Sequence, residues 1–343
     1  MKHIVNWGII GLGNIAFRFA RSFYNVNNAK LIAVASNSNE KLLNFKENFK
    51  IKKENLHNNY EEILKNELID VVYIALPNNF HFEWALKALD NKKNILIEKP
   101  ALVSSKQVEI IFNHKYFDSV FFGEGYMYKY NPQIINVIHL IQEFKLGKPL
   151  KMKSNFGMNL VYKKNFFGFK KKYLDKNNRI FNKKLDGGVI LDIGCYTTSM
   201  SLLIASLINN IDVANFKIDD IKTKYLETNI DVHSSAKINF DNKFTSDIVA
   251  SFIKKIGNQT QIFCEDGEIL IENSWISEKS RVELKGRINK SYNFNLSKKN
   301  VYSLQIEEIS KDILDNRTEA SFPGTSKKDI FLNTKLVDKW VNG

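Results

Sequence analysis

The chain has 343 residues, 44% of them hydrophobic and 12% aromatic, which excludes a disordered polymer and, at this length, points to two domains. With 50 basic and 37 acidic residues the formal net charge is +13. Lys, Asn and Ile are abundant from end to end, so the excess is spread out and does not form the patch that nucleic-acid binding requires. No nucleic acid and no membrane is expected as a partner. Apolar runs such as 71–76 are far shorter than the roughly 20 residues of a bilayer span, and the N-terminal apolar stretch leads into a glycine-rich turn with no cleavage site. Cys195 and Cys264 make no disulfide framework and lack the neighbours of a zinc site, so no metal is expected, and the expected setting is a reducing cytoplasm.

Over the first 125 residues short apolar runs alternate with longer amphipathic segments. The runs are 5–11, 31–36, 71–76, 94–99 and 120–125, rich in Val and Ile, as suits parallel strands covered on both faces. Between them 81–94 is the clearest helix, with Phe82, Ala85, Leu86 and Leu89 on one side. This rhythm predicts a doubly wound α/β domain over 1–123. Beyond it, 131–145 reads as a helix with Pro132 in its first turn, and 195–208 as another. From about 211 the pattern is strand-like and alternating, with consecutive runs 231–240, 246–254, 259–265 and 267–273, which predicts an antiparallel sheet. A closing helix over about 326–341, capped by Thr325 or Ser326, is a candidate to pack back on the first domain. The second domain is taken as 124–343.

Three constellations carry chemistry. Gly11-Leu12-Gly13-Asn14-Ile15-Ala16 follows the first strand and opens a helix. Gly11 permits the tight turn, Gly13 lets the backbone approach a pyrophosphate, and Ala16 allows close helix packing. At the end of the second run, 35–41, no carboxylate is placed to hold ribose hydroxyls. Ser36 could bond a 2′-phosphate and Lys41 neutralise it, whereas Asn37 stands where an arginine would strengthen the case. NADP is therefore expected ahead of NAD. Glu98-Lys99-Pro100 ends the fourth run, where ligands of such sheets bind. Finally, Asp192 and Tyr196 lie four apart in 187–196, which shares a face if helical. A tyrosine assisted by a lysine can exchange a proton while hydride moves, though an N-cap aspartate and a core tyrosine read equally well from this segment alone.

Taken together with 76–89, 124–133, 179–196 and 322–329, these motifs resemble the Gfo/Idh/MocA oxidoreductases along essentially the whole chain. The resemblance implies a Rossmann domain followed by an α+β domain with a large open, mainly antiparallel sheet that supports homodimers or homotetramers. It makes Lys99 the catalytic lysine, often followed by a cis proline, and places Tyr196 where many members have histidine. The tyrosine version is similar to the branch of dimeric dihydrodiol dehydrogenase, NADP-dependent xylose dehydrogenase and glucose–fructose oxidoreductase. Ser36, Lys41 and Tyr60 then match adenosine-phosphate contacts, Pro77, Asn78 and His81 the loop beside the nicotinamide, and Glu98 a cofactor-facing acid. Lys129 and Asn131 depart from the branch's usual Arg and His, so substrate contacts from that loop are not carried over. The basic, aromatic loop 157–178 is where specificity is expected to differ.

The expected reaction is reversible hydride transfer to or from a carbinol or carbonyl carbon of a sugar, sugar derivative or polyol. Tyr196 is the expected acid/base, Lys99 orients the reacting oxygen, and Asp192 holds the substrate or the Tyr–Lys pair. Two alternatives stand beside it: NAD-assisted glycoside hydrolysis without net redox change, and a catalytically silent protein that senses NADP.

Overall fold

The computed structural model describes residues 4–165, 168–172, 174–175, 178–275, 278–296 and 299–343. Of the basic loop at 157–178, Phe166, Phe167, Tyr173, Lys176 and Asn177 lie outside the described residues, as do the side chains of Lys164, Lys170 and Lys171.

Two compact units divide the chain. The first comprises the residues through Tyr130 together with Leu296–Phe331, and the second comprises Asn131–Asn295 with Leu332–Gly343. The sequence places the boundary at 123/124 and assigns everything beyond it to the second domain. In the structure the first unit runs seven residues further and takes back the segment 296–331.

Six parallel strands form the sheet of the first unit: β1 (Val5–Ile10), β2 (Ala29–Ala35), β3 (Leu56–His57), β4 (Val71–Ile74), β5 (Asn94–Ile97) and β6 (Phe122–Glu124), ordered β3-β2-β1-β4-β5-β6. The order reverses at β1, which opens a crevice at the carboxyl ends of β1 and β4. The strands are buried along nearly their whole length, because helices cover both faces. These helices are α1 (Asn14–Arg21), α2 (Asn39–Phe49), α3 (Tyr60–Lys65), α4 (Asn78–Asp90) and α5 (Ser105–Phe112). On one face Ile10, Ala33, Val72, Ile74 and Ile95 pack against Trp84, Ala85, Val108 and Ile111. The other face carries an aromatic group in which Phe19 stacks on Tyr73, and Phe23 and Trp7 meet it edge-on or tilted. A helix that the sequence pattern does not single out, Val301–Leu314, closes this face. Its Ser310 accepts a hydrogen bond from the Trp7 indole at 3.0 Å, and its Tyr302 meets Phe19 edge-on.

The second unit begins at α6 (Pro132–Gln142), whose N-cap is Asn131 with Pro132 at the first turn. Its sheet has eight strands: β7 (Pro149–Gly157), then, after the two-stranded ribbon β8 (Tyr162–Asn165) and β9 (Gly168–Lys171), β10 (Phe216–Tyr225), β11 (Asp231–Phe240), β12 (Phe244–Ser251), β13 (Thr260–Cys264), β14 (Gly267–Glu272), β15 (Lys279–Gly286) and β16 (Lys290–Asn295). The order is β10-β11-β12-β7-β13-β14-β15-β16. Among the described residues β12/β7 is its one parallel pair. The alternation visible in the sequence from 231 onward is the alternation of buried and half-exposed positions on β11 and β12.

On the buried side lies α7 (Cys195–Ser206), with every residue from Cys195 to Ala205 inaccessible. The stretch Lys183–Ser206 is long and apolar enough to cross a membrane, beyond what the separate apolar runs suggested, and 94% of its apolar 18-residue portion is buried inside the chain. A helix that is apolar all round is accounted for by such burial. With Val301–Leu314 taken as α8, the last helix is α9 (Lys327–Asn342). Ser326, of the two candidate caps, opens it: the Ser326 hydroxyl accepts from Asp329 N–H, and the Asp329 carboxylate accepts from Ser326 N–H. Ile330 belongs to the core of the first unit, and Trp340, through its indole N–H to Ser234 Oγ at 2.8 Å, to that of the second.

Candidate active site

In the first unit the glycine turn follows β1 as the motif requires. Gly11 has φ +89°, and a Cβ there would lie 2.8 Å from the carbonyl oxygen of Ala75, so only glycine fits. Gly13 is different. Its backbone is extended, and a Cβ would meet nothing within 4 Å. The space belongs to whatever approaches the N-terminus of α1. That helix starts without a side-chain cap and without an acidic residue in its first turn, at Asn14-Ile15-Ala16, so its N–H groups and positive dipole end suit a pyrophosphate.

At the end of β2, Ser36 is buried and its hydroxyl accepts from Ser38 N–H at 3.2 Å, while Ser38 caps α2 by accepting from Lys41 N–H. Asn37 and Lys41 are exposed. Tyr60 is half-buried, meets the Asn37 backbone, and packs edge-on against Trp84 at 5.0 Å. Burial raises its phenol above the ordinary range against the lowering effect of that backbone bond. Among the described residues no acid occupies the end of β2, and the nearest on α2 is Glu40.

The loops after β4 and β5 are tied together. Pro77 precedes α4, Asn78 begins it, and His81 on its first turn is buried, with Nδ1 2.8 Å from the carbonyl of Pro100 and Nε2 2.8 Å from that of Leu76. The Lys99–Pro100 peptide is cis. Glu98 is buried, accepts from the Tyr73 hydroxyl, and accepts Lys99 N–H at 3.3 Å. His81 and Glu98, read from the sequence as cofactor neighbours, thus also brace the turn that carries Lys99. Lys99 itself is half-buried at the carboxyl end of β5.

Sequence reasoning missed Glu124, at the carboxyl end of β6. It is 4% exposed, its Oε1 accepts Ala101 N–H at 2.9 Å, and its Oε2 is buried without a hydrogen-bond partner. Desolvation pushes its carboxyl up to about 7, against the lowering effects of the Ala101 N–H and Lys129. Lys129 is also buried, 3.8 Å from Asp329, so this departure from the family pattern serves an internal charge cluster. Asn131 accepts from Gln133 N–H as a cap. The one available signal was the acid in the run 120–125, since carboxylates at apolar strand ends rarely stay buried unpaired.

In the second unit Asp192 lies in a π-helical turn, Ile190–Gly194, that runs straight into α7, and Tyr196 is the second residue of α7. Such turns are frequent at functional sites. The Arg179 guanidinium donates to Asp192 Oδ1 at 2.8 Å. The Tyr196 ring is packed edge-on against Phe156 and Trp275, which are stacked on each other, and Trp275 is anchored by its indole N–H to the Asn155 carbonyl at 3.0 Å. The start of the segment is held by Asp231 of β11, which accepts Ile190 N–H at 2.8 Å. Gly188, with φ +123°, makes room for it: a Cβ would lie 2.0 Å from Asp231 Oδ1. Among the described residues no group of three His, Cys, Asp or Glu is placed to hold a metal ion.

A parallel sheet with a glycine turn at its switch point and a lysine at a neighbouring strand end defines a dinucleotide-binding oxidoreductase scaffold. The family descriptions agree: residues 5–115 match the GFO/IDH/MocA "Oxidoreductase family, NAD-binding Rossmann fold", and residues 134–270 match the GFO/IDH/MocA C-terminal domain. The chain belongs to the GFO/IDH/MocA oxidoreductase family. It is 32% identical over 193 residues to a trans-1,2-dihydrobenzene-1,2-diol dehydrogenase of Xenopus tropicalis, covering 55% of this chain and 53% of that protein. It is 25% identical over 197 residues to an NADP(+) D-xylose 1-dehydrogenase of Haloferax volcanii, covering 57% and 54%. These matches span about half the length of the relatives. In fold it is similar to a 3-ketoreductase of Actinomadura kijaniata solved with NADP and TDP-benzene, with TM-score 0.82, 18% identity, and 99% and 98% of the two chains covered.

Proposed function

We propose that this protein is an NADP-preferring dehydrogenase or reductase that moves hydride to or from a carbinol or carbonyl carbon of a sugar, sugar derivative or polyol. The observation that carries the reading is in the first unit. The open, uncapped N-terminus of α1 at Gly13 and the braced Lys99 turn both lie at the carboxyl edge of one parallel sheet, in a chain of an oxidoreductase family. Bound NADP(H) supplies the hydride exchange. Gly11, Gly13, Asn14, Ile15 and Ala16 receive the pyrophosphate, Ser36, Asn37, Lys41 and Tyr60 surround the adenosine phosphate, and Pro77, Asn78, His81 and Glu98 shape the nicotinamide end. Preference for NADP is supported by the exposed Lys41, by the absence of an acid at the β2 end among the described residues, and by likeness to relatives named for NADP(+). Tyr196 is the proton donor and acceptor of the reaction, Lys99 orients the reacting oxygen, and Asp192, paired with Arg179, is an acceptor for a substrate hydroxyl.

The test is a sugar and polyol panel followed by absorbance of reduced nicotinamide. Tyr196→Phe should lower turnover by at least about 100-fold while NADPH still binds. Retained turnover in both Tyr196→Phe and Lys99→Met refutes the assignment, and glycoside cleavage without net absorbance change points to the non-redox alternative. Homodimers or homotetramers would form, in the cytoplasm, through the half-exposed face of the eight-stranded sheet, where Val249, Phe263 and Leu270 lie among charged neighbours. Light scattering reads the assembly directly.

A further inference from the structure

The turn that presents Lys99 is gripped at three successive residues by three buried ionisable side chains. Lys99 N–H goes to Glu98 Oε2 at 3.3 Å, the Pro100 carbonyl to His81 Nδ1 at 2.8 Å, and Ala101 N–H to Glu124 Oε1 at 2.9 Å. All three lie in the first unit. Glu98 also takes the Tyr73 hydroxyl, and His81 also reaches the Leu76 carbonyl. Glu124 is the grip with a polar atom left over, since its Oε2 is enclosed and has no hydrogen-bond partner.

We propose that Glu124 is a positioning residue for Lys99, acting through the Lys99–Pro100–Ala101 turn in a way that depends on whether Glu124 holds a proton. A carboxylate offers about four acceptor directions, and here one N–H is in place. An ionised Glu124 would bury its charge with most of that capacity unmet, which is costly. A neutral acid carries the proton on Oε2 and keeps Oε1 as the acceptor for Ala101 N–H. The charged groups facing it come from three other elements. Glu98 at the end of β5 and Asp329 on α9 oppose ionisation, while Lys129 on the turn after β6 favours it. Burial outweighs the rest and leaves the carboxyl titrating close to neutrality.

Loss of the proton therefore tightens the grip near neutral pH. It strengthens the bond to Ala101 N–H, which becomes charge-assisted. The turn that carries Lys99 is thus held more firmly above the titration of Glu124 than below it.

The inference rests on reading Lys99 as the reaction-side lysine, but its test needs no substrate. The intact protein is pulse-acylated with an amine reagent from pH 5.5 to 9, and the Lys99 peptide is quantified by mass spectrometry against an exposed lysine such as Lys41. A lone amine gains reactivity about tenfold per pH unit below its own titration. Lys99 in the parent should fall several-fold short of that line as pH passes through neutrality. Glu124→Gln, which keeps the acceptor for Ala101 N–H, should follow the line without the break. Lys129→Met should move the break to higher pH, and Lys129→Arg should leave it in place. A Lys99 profile without a break in the parent, or one identical in the parent and Glu124→Gln, overturns the inference. Turnover retained in Lys99→Met would instead defeat the functional reading and leave a break at Lys99 standing.

Discussion

Glu124→Gln also has a consequence for stability that can be worked out from its surroundings. Burial moves the Glu124 carboxyl from an ordinary value near 4.5 to about 7, while the unfolded chain keeps the ordinary value. Below the unfolded value both states hold the proton and the folded state bears no penalty. Between the two values the unfolded state releases its proton and the folded state does not, so stability falls as pH rises, and the loss is complete above the folded value. At about 1.4 kcal/mol per tenfold, the loss is on the order of 3 kcal/mol. The side chain is enclosed, so solvent screening does little to reduce it. Glutamine has nearly the same shape, still accepts Ala101 N–H, and cannot titrate. Groups that do not face Glu124 contribute equally to parent and variant, so the difference between them isolates Glu124 together with its coupling to Glu98, Asp329 and Lys129. Urea unfolding at pH 5, 6, 7 and 8 should show the variant gaining on the parent by roughly 2–3 kcal/mol across that range, with unchanged denaturant slope. A difference that is the same at pH 5 and pH 8 would refute the assignment of a buried, proton-holding carboxyl.

Three further substitutions separate folding from binding. Gly13→Ala adds a methyl to open space at an extended backbone, so urea stability should stay within about 1 kcal/mol while the NADPH dissociation constant rises at least about tenfold. Unchanged affinity would place the phosphates elsewhere. Lys41→Glu should weaken NADPH by about tenfold or more and NADH much less, which parallel titrations will show; equal losses would remove Lys41 from the 2′-phosphate. Gly188→Ala drives a methyl into Asp231 at a positive-φ position and should cost roughly 2–4 kcal/mol in denaturant unfolding. A cost below about 1 kcal/mol would show that β11 readily gives way.

The strands of the first unit were legible because they are short apolar runs between amphipathic segments, and 71–76 and 94–99 contain β4 and β5. The two-residue β3 was not, since it pairs only at Val34 and Ala35 and carries no periodicity of its own. In the second sheet the alternating runs from 231 were read as β11 to β14. The central strand β7 was missed: its sequence, Pro149–Gly157, mixes two lysines and polar residues with few apolar ones, and its place is decided by its pairing with β12 and β13. Helix α8 shows an apolar face in the structure, but the length of chain separating it from the first unit concealed where that face belongs.

From local patterns alone the chain determined that it would build a parallel nucleotide-binding sheet, then an antiparallel one, with Gly11, Gly13, Lys99, Asp192 and Tyr196 at the points where chemistry is expected. Strand periodicity, glycine turns and helix caps act over a few residues, so a sequence displays them directly. Only the tertiary structure decided that His81, Glu98 and Glu124 all hold the turn of Lys99, that Asp231 holds the π turn of Asp192, and that 296–331 returns to the first unit. Each depends on burial and on contacts between residues distant in the chain. Burial is also what turns Glu124 from an ordinary acid at a strand end into one that titrates close to neutrality.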